Sequence, residues 1–172
     1  MMRGAIAAIL LLPGVGWGAT PLGFDARLHE VVEEYLKIQE ALANDRVDGV
    51  PAAARRIQKL VAGLDKLKPT ASTAKHAGQI RAKLVPAAER LAKAADLARL
   101  REAFKEVSRP LALWVTVARP PALSVVYCSM AKASWLQRNL PIRNPYYGPK
   151  MLTCGEVVGG KSKGHSDGHM GK

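Results

Sequence analysis

Four stretches of the chain repeat apolar residues at alternating intervals of three and four, which places those residues on one face of an α-helix. The stretches are residues 24–42, 50–67, 73–94 and 97–114. Helices of this length joined by short connections favour an antiparallel, up-and-down four-helix bundle. The sequence therefore predicts an all-α fold for most of the chain.

Capping and helix-breaking residues refine these boundaries. Asp48 is the expected N-cap of the second helix, with Pro51 in its first turn. Asp96 is the expected N-cap of the fourth helix. Pro86 falls inside the third helix and should kink or split it, because a proline ring removes a backbone donor and crowds the preceding turn. Pro110 should bend the fourth helix near its end.

The pattern changes after Arg119. Residues 123–127 are a short run of β type. Residues 131–137 are expected to form a helical turn, and residues 142–149 are rich in turn formers. We define residues 119–158 as the Cys/Met segment and expect it to be irregular, with short strands at most. Within it, Arg143 is expected to pair with Glu156, and the aromatic residues are expected to pack the segment onto the bundle.

The first residues are typical of a secretory signal. Met1 to Arg3 is a short basic start, and the following apolar run is too short to span a bilayer. Cleavage after Gly18 would leave small residues, Gly16 and Gly18, at the two recognition positions. The alternatives are a membrane anchor and a buried helix. We expect residues 1–18 to be a signal peptide, residues 20–158 to be one domain, and the mature protein to be exported, periplasmic and not stably inserted in a membrane.

The chain of 172 residues has a formal net charge of +12. Such a balance is compatible with nucleic acid, anionic lipid or an acidic protein surface. Nucleic acid is discounted, because the basic residues are spread along the helices and mixed with acidic residues. Solvated helix faces with a basic tail explain most of the charge.

Four sulfur donors stand close together in the Cys/Met segment: Cys128, Met130, Met151 and Cys154. Thiolate and thioether are soft ligands that suit Cu(I), whereas zinc prefers thiolate and imidazole. The other interpretation is a Cys128–Cys154 disulfide, which an oxidising compartment permits, with both methionines packed against aromatic rings. The reduced cysteines could bind a metal ion, and the oxidised cysteines could form a disulfide that fixes the loop. Both interpretations therefore remain open.

Residues 159–172 consist largely of Gly, Lys, Ser and His, a composition that predicts disorder. His165 and His169 are four residues apart, and Met170 follows. These residues are candidates for weak copper capture by a flexible arm. The alternative is a solubilising tail.

Several motifs resemble a poorly characterised family of exported bacterial helical domains. The motifs are Val126–Ala131, Trp135–Gln137, Ile142–Gly148 and Met151–Glu156, with weaker matches at Tyr35–Ala43 and Arg101–Ser108. Members of that family occur alone or fused to periplasmic adaptor subunits of heavy-metal efflux pumps of the resistance-nodulation-division type. The resemblance implies copper or silver handling beside such an adaptor. This chain has Ser129 where the family usually has proline, which leaves the loop at the first cysteine less rigid.

Three functions are compatible with these observations. The first is a periplasmic accessory protein that holds copper or silver and passes it to an efflux partner, without being an enzyme. The second is an interaction module, stapled by a Cys128–Cys154 disulfide, that docks on an efflux adaptor. The third is a thiol redox enzyme, which the missing Cys-x-x-Cys motif argues against.

Overall fold

The apolar stripes form four α-helices in the computed structural model, which describes residues 23–138 and 141–160. The helices are α1 (Phe24–Ala43), α2 (Val50–Val61), α3 (Ala74–Lys93) and α4 (Leu97–Ala118). A 3-10 turn at Leu64–Lys66 follows α2. The four predicted helices are confirmed, although α2 ends at Val61, six residues before the expected end at residue 67.

The predicted stripes are buried. In α1 the whole stripe is inaccessible to solvent: Phe24, Leu28, Val31, Tyr35, Ile38 and Leu42. Burying a side chain of this size contributes about 1.5–3 kcal/mol through the hydrophobic effect. The shared core of these stripes, rather than helix propensity, therefore accounts for most of the stability of the helices.

The helix ends agree with the sequence only in part. Asp96 caps α4, since its side chain accepts a hydrogen bond from the Arg99 N–H at 2.9 Å. The prediction that Asp48 caps α2 is wrong: Gly49 holds that position with φ 75°, a left-handed conformation that glycine adopts at no steric cost. Pro86 lies inside the continuous helix α3 and does not split it. Pro110 lies inside α4.

A small antiparallel sheet follows the helices. It contains β1 (Ser124–Cys128), β2 (Ala133–Gln137) and β3 (Glu156–Gly160) in the order β2-β1-β3. β1 is central, with Val126 opposite Trp135 on one side and Val157 on the other, and its register with β3 shifts between Val125 and Val126.

The sheet corrects three predictions. An all-α fold describes only the helical part of the chain. The expected helical turn at residues 131–137 is wrong, because residues 133–137 are the edge strand β2. Gly159 and Gly160, assigned to the tail, end strand β3. The strand expected at residues 123–127 is confirmed as β1, one residue later.

The helices and the sheet form layers. α2 packs on α1 and α3, and α3 packs on α4, whereas α1 and α4 contact each other much less. The sheet packs mainly on α4, with β2 also touching α1. The C-terminal segment therefore fills the open side of the bundle between α1 and α4, and the α2–α3 pair lies on the far side.

In the described part of the chain, no helix has the length and apolar character that crossing a bilayer demands. The expected signal peptide at residues 1–18 and the tail from residue 161 onward lie outside the described residues.

Candidate functional site

The two cysteines meet at one end of the sheet, where β1 ends and β3 begins. Cys128 ends β1, and Cys154 lies just before β3, the strand that pairs with β1. This pairing places the two Sγ atoms 3.3 Å apart as free thiols. Cys128 is completely buried and Cys154 is half-buried, so solvent reaches the pair from the Cys154 side.

The Cys128 sulfur lies among hydrogen-bond donors. Burial alone raises the pKa of this thiol. The Ala131 N–H at 3.4 Å, the Cys154 thiol, the Asn144 amide and the Met130 N–H outweigh burial and hold the pKa below its ordinary value. Donors to the charged form stabilise a thiolate, so Cys128 is the first of the two to ionise.

The pKa of Cys154 is shifted in the opposite direction, above its ordinary value. Its sulfur shares a hydrogen bond with the Cys128 sulfur, and this bond, together with some burial and the charge that Cys128 carries when ionised, raises the pKa of the Cys154 thiol. The two identical side chains are therefore inequivalent: Cys128 is buried and its ionised form is stabilised by hydrogen-bond donors, whereas Cys154 is more accessible and its ionised form is disfavoured.

Asn144 links the loops that carry both cysteines. Its side-chain Nδ2 donates to the Cys154 carbonyl at 2.8 Å, and its Oδ1 accepts from the N–H groups of Tyr146 at 2.8 Å and Tyr147 at 3.3 Å. Its backbone N–H donates to the Leu152 carbonyl at 2.7 Å. Asn144 is fully buried. The sequence pattern alone gives no sign that this asparagine is bonded to the loop of Cys154.

Glycine is required at position 155 because the backbone there lies very close to the side chains of Trp135 and Val126. A Cβ atom at this position would lie 2.6 Å from Trp135 Cη2 and 2.9 Å from Val126 Cγ1. Contacts under 3.0 Å displace one of the partners, and both of these belong to neighbouring strands. The absence of a side chain after Cys154 thus lets β3 close against the sheet.

The two methionines flank the pair in sequence and differ in exposure. Met130 lies in the turn between β1 and β2, where 61% of its surface is exposed, and its carbonyl accepts a hydrogen bond from the Tyr147 hydroxyl at 3.2 Å. Met151 ends the 3-10 turn Gly148–Met151 and is half-buried. Its carbonyl accepts from the Cys154 N–H at 3.0 Å. Both methionines therefore belong to turns that also touch the cysteine loops.

The site is joined to the bundle through a buried hydroxyl cluster. The Tyr35 hydroxyl lies 2.7 Å from Ser108 Oγ and accepts from the Leu136 N–H at 3.1 Å. The Tyr146 hydroxyl donates to the Ser134 carbonyl and lies 3.2 Å from Ser108 Oγ. Burial raises the pKa of Tyr35 and of Tyr146, so both keep their protons. The cluster ties α1, α4 and β2 to the loop that contains Asn144.

The expected packing of the aromatic residues onto the bundle is confirmed for Tyr146, whose ring lies against Phe104 of α4 with the ring centroids 6.2 Å apart. Trp135 is completely buried, and Tyr146 meets it edge to face with ring centroids 5.8 Å apart. The expected pairing of Arg143 with Glu156 is wrong: Arg143 pairs with Glu40 of α1 at 2.9 Å. The loop before the second cysteine is therefore anchored on α1 rather than on β3.

A shallow polar depression of about 260 Å³ opens beside the pair, lined by Tyr127, Ser129, Cys154, Gly155 and Glu156. Across residues 23–138 and 141–160, no three His, Cys, Asp or Glu side chains gather closely enough to hold a metal ion. The site's chemistry within that part of the chain is thus that of a dithiol beside two thioether-bearing turns. His165, His169 and Met170 lie outside the described residues.

Comparison with known families assigns the helical part of the chain to a protein family. The sequence matches the family model described as "Protein of unknown function (DUF3347)" over residues 31–120. The match covers more than half of the 172 residues. The chain belongs to this family.

The DUF3347 match extends from α1 to the end of α4 and stops before β1. The family relationship therefore rests on the helices, and both cysteines lie beyond the matched range. Comparisons with curated proteins and with solved structures give no match.

Proposed function

We propose that this protein is a periplasmic accessory protein that binds a soft monovalent metal ion, Cu(I) or Ag(I), through Cys128 and Cys154, and hands it to an efflux partner. The observation that carries the proposal is the 3.3 Å separation of the two Sγ atoms, which belong to loops 26 residues apart in sequence. Soft thiolate ligands select such ions.

The pair needs only a small adjustment to bind metal. With the zinc–thiolate bond length of about 2.3 Å and a tetrahedral angle as a guide, two sulfur atoms that share one metal ion lie about 3.8 Å apart. The Sγ atoms, at 3.3 Å, would separate by about 0.5 Å. Cys128 is fixed by the central strand, whereas Cys154 lies in a half-buried turn before an edge strand. The adjustment therefore falls on Cys154.

The methionines supply candidate third ligands. Met130 is exposed two residues after Cys128, and Met151 lies one turn before Cys154. Because thioether binds Cu(I) and Ag(I) but contributes little to zinc, a third ligand of this kind favours the monovalent ions. His165, His169 and Met170 are proposed as a second, weaker capture site.

The export and efflux parts of the proposal depend on the sequence. The signal-like residues 1–18 support export, and the resemblance of the Cys/Met segment to domains that accompany efflux adaptors supports the partner. The proposal contains no catalytic step: the protein holds and transfers the ion.

The same distance favours a second candidate function. Two thiols in contact at the end of the sheet are positioned to be oxidised to a Cys128–Cys154 disulfide, which would staple β1 to the loop before β3. In that case the protein would be a structural module that docks on an efflux adaptor and carries no metal.

Competition for Cu(I) separates the two candidates. The reduced full-length chain is titrated against a coloured Cu(I) chelator, together with Cys128→Ser, Cys154→Ser, Met130→Leu and Met151→Leu. Metal binding predicts that either serine variant loses most of the affinity, that at least one leucine variant weakens it, and that replacing His165 and His169 leaves the tight site intact. A wild-type protein that fails to compete, combined with a disulfide in protein trapped directly from cells, would favour the structural module.

A further inference from the structure

The helical hairpin formed by α2 and α3, residues 50–93, holds most of the excess positive charge of the chain. It contains ten Lys and Arg residues against two acidic residues, Asp65 and Glu89. The difference is a formal charge of +8, out of +12 for the whole chain. Helix α1 has the opposite balance, with five acidic and two basic residues.

Most of these cations are free of carboxylate partners. Arg56 pairs with Glu34 at 3.4 Å, Arg90 pairs with Glu106, and Arg81 donates to the Leu67 carbonyl. The other seven basic residues of the hairpin are exposed, and none has a carboxylate within 4.0 Å in the parts of the chain that the structure describes. They are Arg55, Lys59, Lys66, Lys68, Lys75, Lys83 and Lys93.

The helical geometry spreads this charge over a broad face. Arg55 and Lys59 are one turn apart on the exposed side of α2. Lys75 and Lys93 are separated by five helical turns and project from the same side of α3, about 27 Å apart along its axis. The face lies away from the sheet, which packs on α4 and α1.

We infer that this face of the hairpin adsorbs to the surface of an anionic phospholipid bilayer. Basic residues near such a surface each raise membrane affinity about fivefold, and this attraction requires no pocket and no insertion. Charge complementarity alone is therefore sufficient for this broad cationic face to adsorb to an anionic bilayer.

The uncharged positions of the face argue against a protein partner. Stable protein interfaces centre on buried apolar and aromatic anchors. The exposed large apolar residues of the described chain, Val47, Met130, Val157 and Val158, all lie outside the hairpin. The exposed uncharged positions on α2 and α3 are mostly small, as at Ala52, Gly78 and Ala82.

Nucleic acid fits the face less well. Single strands are held by aromatic side chains on which the bases stack, combined with a basic groove. The hairpin contains no Trp, Tyr or Phe between residues 50 and 93. Its cations cover two helix surfaces instead of lining a groove.

Adsorption through this face would fix the orientation of the molecule. The sheet and the cysteine pair lie on the other side of the α1 and α4 layer, so they would point away from the bilayer. This inference is independent of metal binding, since it involves no residue of the thiol site.

Vesicle cosedimentation tests the inference with matched variants. The full-length protein is mixed with vesicles of phosphatidylcholine alone or with about one third phosphatidylglycerol. The hairpin variant replaces Arg55, Lys59 and Lys75 with Gln. The control variant replaces Lys37, Lys132 and Lys150 with Gln, which removes the same charge from exposed positions outside the hairpin.

We expect the wild-type protein to bind only the anionic vesicles, and we expect its binding to fall as the salt concentration rises. The affinity of the hairpin variant for the anionic vesicles should be about 100-fold lower than that of the wild type. The control variant should lose far less. Equal losses in the two variants, equal binding to both vesicle types, or no binding at low salt would overturn the inference. Hairpin-dependent binding to a duplex oligonucleotide without binding to anionic vesicles would overturn it as well.

Discussion

The buried amide of Asn144 donates a hydrogen bond to the carbonyl oxygen of Cys154 at 2.8 Å and is one of the groups that lower the pKa of the Cys128 thiol. One side chain thus holds the two loops whose thiols meet. The amide acts together with the pairing of β1 and β3, which brings Cys154 beside Cys128.

Removing that amide should destabilise the domain. Asn144→Ala leaves the Cys154 carbonyl and the Tyr146 N–H without their buried partner, and each unsatisfied group costs about 1–3 kcal/mol. We expect the free energy of unfolding of the reduced protein to fall by about 2–4 kcal/mol in denaturant titration. Gln79→Ala is the control, because Gln79 is exposed on α3 and its loss should cost under about 1 kcal/mol. If the free energy of unfolding fell equally in Asn144→Ala and in the control, the Asn144 amide would not be important for the stability of the domain.

The two thiols should titrate separately. Hydrogen-bond donors lower the pKa of Cys128 below the ordinary value of 9.0, and the bond to Cys128 raises that of Cys154 above it. The ultraviolet absorbance of thiolate should therefore grow in two steps, one on each side of 9.0. In Cys154→Ser the lower step should remain, whereas in Cys128→Ser it should disappear. A single step at the ordinary value in the folded wild type would contradict the arrangement.

Asp25 should make the fold sensitive to acid. Burial raises the pKa of this carboxyl, but hydrogen bonds from the Thr70 N–H, the Trp114 indole and the Thr73 hydroxyl bring it below 3.8. A lowered pKa contributes stability above the unfolded value, and this contribution is lost as pH falls through the folded value. Asp25→Asn should therefore lower the free energy of unfolding at neutral pH by about 1–3 kcal/mol.

The same variant should flatten the loss of stability on the acid side of pH 4, as followed by denaturant titration at several pH values. Asp65→Asn is the control, since Asp65 is exposed after α2. If the two variants gave the same pH dependence, the link from α1 to Trp114 and Thr70 would not be the source of the acid sensitivity.

The hydroxyl cluster should couple the helices to the sheet. Tyr35→Phe removes the partner of Ser108 Oγ and of the Leu136 N–H, both buried, and should cost about 1–3 kcal/mol. Because Tyr35 and Ser108 share one hydrogen bond, the double variant with Ser108→Ala should lose less than the sum of the single variants in a double-mutant cycle. Tyr127→Phe is the control, since the Tyr127 hydroxyl has no hydrogen-bond partner among residues 23–138 and 141–160. Strict additivity would show that the two hydroxyls act independently.

The helical part of the fold could be predicted because its signal is local. Residues such as Leu28 and Tyr35 repeat every three or four positions, and a helix is the local structure that puts them on one face. The Asp96 cap was predictable for the same reason, since it depends on the next three residues. The Asp48 cap was not, because Gly49 competes for the position with a backbone conformation that the residue pattern does not reveal.

The strands were harder to predict because their partners are distant in sequence. The residues of β2 form a strand because β1 supplies hydrogen bonds and α4 covers their apolar side chains, whereas five residues alone favour a helical turn equally well. β3 ends in two glycines, which weaken the strand preference of Val157 and Val158. It forms because Gly155 allows the chain to close against Trp135 and Val126.

By itself the sequence determined four amphipathic helices and four sulfur donors in one segment, since these features depend on residue type and local spacing. Only the tertiary structure decided which donors meet. The antiparallel pairing of β1 with β3 and the Asn144 brace bring Cys128 and Cys154 to 3.3 Å, whereas Met130 extends into solvent on a turn. Contacts between residues 26 positions apart depend on how the whole chain packs, and no local pattern encodes that distance.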